Sequence, residues 1–123
     1  MNYKFVASLV AAVCVVLFAL FMFAPQLYAP TYGVTADTGA VFMTRRASPM
    51  FLALAWILWA SRDAPRSALR DSVSFGGALS FAAVAATGVF EWATGVASSA
   101  ILVAAVSEVG LAALLVYTAK LPA

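Results

Sequence analysis

An uncharged run from Phe5 to Ala24 is apolar throughout except for Ser8, and three further apolar stretches follow, parted by short segments where proline, glycine and charge collect. A membrane-crossing helix needs roughly 20 such residues. The first run has that length, and Pro25 closes it, because proline steers the residue before it away from helical geometry. Lys4, the apolar core and Leu27-Tyr28-Ala29 also have the outline of a secretory signal. The run is longer than the ~7–15 residues of a signal core, so it is read as a retained span over residues 5–24. Residues 26–36 contain Pro30, Gly33, Tyr28 and Tyr32 and predict an interfacial loop, with the tyrosine rings at headgroup level.

The second stretch is purely apolar only from Met50 to Ala60, too short to cross alone. A helix over 38–61, capped by Asp37 or Thr38, is long enough but takes in Arg45, Arg46 and Pro49. Pro49 leaves the Arg45 carbonyl without its helical partner, so a kink is expected. Trp56 and Trp59 would anchor the far interface. After the polar link Arg62-Asp63-Ala64-Pro65-Arg66, a third helix is predicted over 67–90. In it Ser72, Gly76 and Ser80 recur every fourth residue and would let a neighbouring helix approach closely, as packing within the bundle or, in the alternative, as a homodimer seam. Trp92 sits in the next turn as a further interfacial anchor, and a fourth helix over 98–118 ends before Lys120 and Pro122. The expected fold class is all-α: one membrane-embedded domain over 1–123, a four-transmembrane-helix bundle with short connections.

Composition agrees: 65% of the 123 residues are hydrophobic and 10% charged, with a mean hydropathy of +1.01, far from soluble proteins with roughly a quarter charged residues. A net charge of +2, scattered along the chain, gives no basis for nucleic-acid binding. Its placement does carry information. Lys4, Arg62, Arg66, Arg70 and Lys120 would share one side of the membrane, opposite Asp37 and Glu91, which makes both termini cytoplasmic by the positive-inside rule. The expected location is the bacterial cytoplasmic (inner) membrane, with lipids and other integral membrane subunits as partners.

The chemistry is sparse. There is no histidine, the commonest side chain for binding haem, copper or catalytic zinc, and none to build a Ser-His-Asp system. Cys14 is the single cysteine, so no internal disulfide or dithiol pair can form; in an apolar helix it reads as a small core residue. No glycine-rich phosphate loop is present. Neither a metal site nor a cofactor is expected, and the chain is not read as an enzyme.

One charge stands out. Glu108 lies in the middle of the last span, where a charged side chain costs on the order of 2.5–3.5 kcal/mol and calls for a partner or a wet cavity. It lies about 15 Å beyond Ser98, and Arg45 or Arg46 roughly 10–12 Å beyond Thr38, at 1.5 Å per residue. An ion pair of Glu108 with Arg45 or Arg46 is therefore the expectation, a structural pair fixing helix four against helix two. The competing reading is a proton relay or polar ligand site. Ala100, Ala104 and Ala112 share the Glu108 row, with Ser107 and Gly110 nearby, which leaves space beside the carboxylate. The Phe18, Phe21, Phe23 group reads as lipid-facing or packing material.

The first span closing in Ala24-Pro25, a loop with Tyr32-Gly33, an arginine early in helix two and a short basic link to helix three together resemble the DoxX-like group of small four-helix bacterial membrane proteins. Pro49 departs from the glycine-rich run expected there. The resemblance covers most of the chain and implies a four-helix bundle, not an activity. In size and span number the chain also resembles the small multidrug transporters, which place their essential acid in the first span, where this chain has none. The functional expectation is a small non-catalytic structural or accessory subunit of a larger membrane complex. The alternative is a small transporter or proton-coupled carrier that uses Glu108, as a homo-oligomer.

Overall fold

The computed structural model describes residues 1–123. Its elements are α1 (Tyr3–Phe23), a 3-10 turn (Pro25–Leu27), the one-turn α2 (Tyr28–Thr31), α3 (Thr38–Ser61), α4 (Ala68–Ala93) and α5 (Ala100–Ala119), with no strand. The four long helices are each long and apolar enough to cross a membrane. Side-chain caps start three of them by accepting a backbone N–H that the first turn leaves free. Asn2 takes that of Phe5 at 2.9 Å, Asp37 that of Ala40 at 2.7 Å, and Ser67 that of Arg70 at 3.1 Å. α4 continues through Glu91 and Trp92, past the predicted end at 90. The backbone then turns at Gly95, whose φ of 81° is the left-handed value that glycine adopts without a side-chain clash.

Pro49 lies inside α3 and cannot donate to the carbonyl of Arg45. Ser48 fills the gap: its hydroxyl, wholly buried, donates to that carbonyl at 2.7 Å. The sequence pairs the proline with its own remedy one residue earlier, and the helix runs on.

α1 packs along α3 and α4 along α5. The two pairs meet over a narrower seam where α1 touches α5 and α3 touches α4, so α3 and α5 stand diagonally across the bundle. The core lies in this seam, with Val10 and Cys14 of α1, Leu58 of α3, Phe81 of α4 and Leu115 of α5 meeting near its middle. In lipid there is little hydrophobic drive between helices, so close contact over small residues has to hold them. Gly77 supplies one such contact, since a Cβ there would sit 3.1 Å from Leu115 Cδ1, and Gly88 another against Ile101 at 3.3 Å.

This face is not the one expected. Ser72, Gly76 and Ser80 are exposed, and a Cβ on Gly76 would meet nothing within 4 Å. Ser72 and Ser80 donate back to their own helix, to Ala68 and Gly76 carbonyls. The buried face of α4 runs instead through Arg70, Ser74, Gly77, Phe81, Ala85 and Gly88. Small residues lie on nearly every side of this helix, so their spacing marks several rows without telling which looks inward.

Arg70 closes the end of the bundle where the chain begins. Only 1% exposed, it donates to the carbonyls of Ala64 at 3.1 Å, Ala119 at 2.8 Å and Leu121. Its guanidinium also lies 4.3 Å from the centre of the Tyr3 ring, and the Tyr3 hydroxyl is 2.8 Å from Ser61 Oγ. The end of α5 exposes carbonyls that lack helical partners and carries the negative end of the helix dipole, which an arginine fork fits well. One side chain thus joins α1, α4, α5 and the α3–α4 link. On the adjacent surface Lys4 bridges Asp63 at 2.8 Å, and Arg62 stacks 3.8 Å over Trp59.

Candidate functional site

The opposite end is built differently. Past Phe23 the chain turns at Pro25 and folds back so that the Tyr28 ring meets the Phe21 ring edge-on at 4.7 Å. Phe21 meets Phe51 of α3 at 5.3 Å, and Tyr28 meets Tyr32 at 5.2 Å. The Ser98 N–H donates to the Tyr32 carbonyl at 2.8 Å, which fastens this segment to the α4–α5 connection. Gly33 beside it has a φ of 75° and lies against Ser98, at a spot where a side chain would be strained.

Beneath this segment the two helix pairs part, and Glu108 of α5 faces the opening. It borders two cavities of about 230 Å³ and about 300 Å³. Tyr28, Tyr32, Val84, Ala104 and Glu108 line both, so the two form one cleft with the acid at its waist. Ala104, one turn before Glu108, supplies the room. The inner part lies between the pairs, walled by Leu17 and Phe21 of α1, Phe51 and Leu54 of α3, and Phe81 of α4. The outer part reaches Thr87 and Glu91 at the end of α4 and Ile101 at the start of α5. The outer part is at the lower edge of the roughly 300–1,000 Å³ of small-molecule sites and the inner part alone falls below it; such sites are mostly apolar with few polar groups, as here.

The expected ion pair does not form. The ion pairs of the structure are Lys4–Asp63 and Arg62–Asp63, and no protein group hydrogen-bonds the Glu108 carboxylate. Arg45 and Arg46 are exposed, and Arg45 Nε donates at 3.2 Å to the Met22 carbonyl at the end of α1. Counting residues compares depth along two helices but not the direction each faces. α3 and α5 are diagonal, so an arginine directed outward from α3 has no path to an acid on α5.

Tyr28 and Tyr32 stand at the end of the bundle, yet both are walls of the cleft rather than free surface rings. Burial, with the nearby Tyr32 phenol and Glu108, pushes the Tyr28 phenol up from its usual range. Burial and Glu108 do the same to Tyr32. Trp56, 71% exposed, Trp59 and Trp92 are on the outer surface, Trp59 and Trp92 within a turn of a helix end. In the phenylalanine group, Phe23 is 77% exposed, whereas Phe21 is buried against the tyrosines. The roles of Phe21, Phe51 and Arg70 were missed from the sequence. The one local signal was Pro25, which sends the chain back over Phe21.

No three His, Cys, Asp or Glu side chains converge on a metal-sized site, and Cys14 is alone in the core. The cleft offers a carboxylate that can accept hydrogen bonds or balance a positive charge, set among aromatic rings. Fold and site define a four-span helical membrane protein with an acid-bearing cleft between two helix pairs. No family model, no curated protein and no solved structure matches the chain.

Proposed function

We propose that the protein is an intramembrane binding protein, and by extension a small carrier, for a small and largely apolar ligand that Glu108 anchors. The observation that carries this reading is the Glu108 carboxylate, unpartnered by protein at the waist of a cleft. A purely structural acid at this depth would need a partner to offset a cost on the order of 2.5–3.5 kcal/mol. With Arg45 and Arg46 turned away, the accessory-subunit reading is left with composition as its support.

The same reading places the chain in the bacterial cytoplasmic membrane with both termini inside. Lys4, Arg62, Arg66 and Lys120 gather at the end away from the cleft, which supports that orientation. The outer cavity would then open away from the cytoplasm. Kinship with the DoxX-like group is proposed on layout and adds no activity, since fold does not carry function.

The test is the unfolding temperature of detergent-purified protein with neutral, cationic and anionic small aromatic compounds. At least one class is expected to raise it, and the rise should vanish in Ala104→Phe, which fills the waist. If no class raises it and the protein co-purifies at fixed stoichiometry with other membrane subunits, the accessory reading takes its place.

A further inference from the structure

We infer that the ligand is an organic cation, a small amine or quaternary ammonium on an apolar frame, which exchanges with a proton at Glu108. This rests on the binding reading above and names the class of ligand.

The argument is one of complementary charge. Of the groups around Glu108, α1 offers Leu17 and Phe21, and α3 offers Phe51 and Leu54. α4 offers Ser80, Thr87 and Glu91, and the segment after α1 offers Tyr28 and Tyr32. The cleft therefore holds two carboxylates, two phenols and no basic group. The arginines of α3 and α4 line neither cavity, and Arg46 is exposed on α3. Arg45 is at the Met22 carbonyl, and Arg70 is at the far end among three carbonyls. An anionic ligand would meet like charge, and a neutral one would leave the carboxylate without a counterpart.

The walls then choose between a metal ion and an organic cation. A calcium ion takes about six to eight oxygen ligands, and magnesium about six. Here no three acidic side chains converge, and Glu108 and Glu91 are the only carboxylates of the cleft. Apart from these, the two phenols and the hydroxyls of Ser80, Ser107 and Thr87, the lining is hydrocarbon and ring. Such a wall suits a cation that brings its own apolar surface and places its charge among aromatic rings, as quaternary ammonium sites do. When the carboxyl is protonated, binding breaks one O–H bond. The proton leaves, and the cation replaces it beside the carboxylate, so charge in the cleft is conserved.

Benzyltrimethylammonium and its neutral isostere neopentylbenzene provide the test, with binding to detergent-purified protein followed by the change in tyrosine fluorescence. The cation is expected to bind about tenfold more tightly or better, and to weaken as the pH is lowered and the proton competes. In Glu108→Gln the cation should fall to the level of the isostere while the isostere is unchanged. Equal binding of the two compounds to the wild-type protein would overturn the cation inference and leave cleft binding standing. Binding of neither would overturn both. If Glu108→Gln does not fold, the wild-type pH series decides: cation affinity that stays constant from neutral to acid pH defeats the exchange.

Discussion

The guanidinium of Arg70 lies 4.3 Å from the centre of the Tyr3 ring, so the first turn of α4 and the first turn of α1 share one buried cation. That cation is held by hydrogen bonds to the carbonyls of Ala64, Ala119 and Leu121, with no carboxylate bridged to it.

Removing it should therefore unfold more than one contact. Arg70→Ala is expected to cost on the order of 3 kcal/mol, because several carbonyls lose their donor together. Arg70→Lys should fall between, since an ammonium lacks the fork. Tyr3→Leu should cost about 1 kcal/mol through the lost ring contact, and Tyr3→Phe about 0.5–1 kcal/mol through the lost hydrogen bond to Ser61. Denaturant unfolding in mixed micelles would give this order.

Neighbouring glycines of α4 should behave oppositely. Gly77→Val drives a branched side chain into Leu115, already 3.1 Å from the Cβ position, and should destabilise by about 1–3 kcal/mol. Gly76→Val meets nothing within 4 Å and should stay within about 0.5 kcal/mol of wild type. Paired melting curves check both.

Ser48 and Pro49 should be strongly non-additive. Ser48→Ala takes away the hydroxyl that serves the Arg45 carbonyl and should cost about 0.5–1.5 kcal/mol. In a Pro49→Ala background the restored N–H can take that carbonyl, so the same change should cost well under half as much. A double-mutant cycle measures the coupling.

The pH limits of stability should trace to two surfaces. The hydrogen bond from Lys4, aided by the charges of Lys4 and Arg62, holds the Asp63 carboxyl below its ordinary value of 3.8. Its contribution is present above 3.8 and is lost as pH falls through the lower folded value. Asp63→Asn should flatten that acid limb. At the other extreme, burial first, and then Tyr32 and Glu108, raise Tyr28 above 10.0. Stability from that phenol is full below 10.0 and lost as pH rises through the folded value, and Tyr28→Phe should remove the loss. Melting temperature against pH reads both limbs.

The four helices were legible because apolar length and end signals are local: Asp37 caps α3 and Pro25 ends the first run whatever packs on them. The facing of each helix was not. Where nearly every side is apolar, as in α4, neither Ser72-Gly76-Ser80 nor Ser74-Gly77-Phe81 announces itself as the inner row. For Glu108 the residue was legible and its partner was not. Depth follows from counting, but whether Arg45 can reach an acid depends on which helices are neighbours, and pairing α1 with α3 set them diagonally. Arg70 read as one more positive charge near a helix end, because its acceptors are backbone groups, two of them about fifty residues away, and leave no mark in the side-chain sequence.

The two ends of the bundle also differ in stiffness. Arg70 stitches four elements at one end, while at the other the Ser98–Tyr32 backbone hydrogen bond ties the segment after α1 to the α4–α5 connection. Thermal opening should then be lopsided, pivoting about Arg70 like a pair of jaws, with amide exchange slowest near Arg70 and fastest near Tyr32 and Ser98. Such a molecule can admit a guest by flexing at its loose end while its fixed end never comes apart.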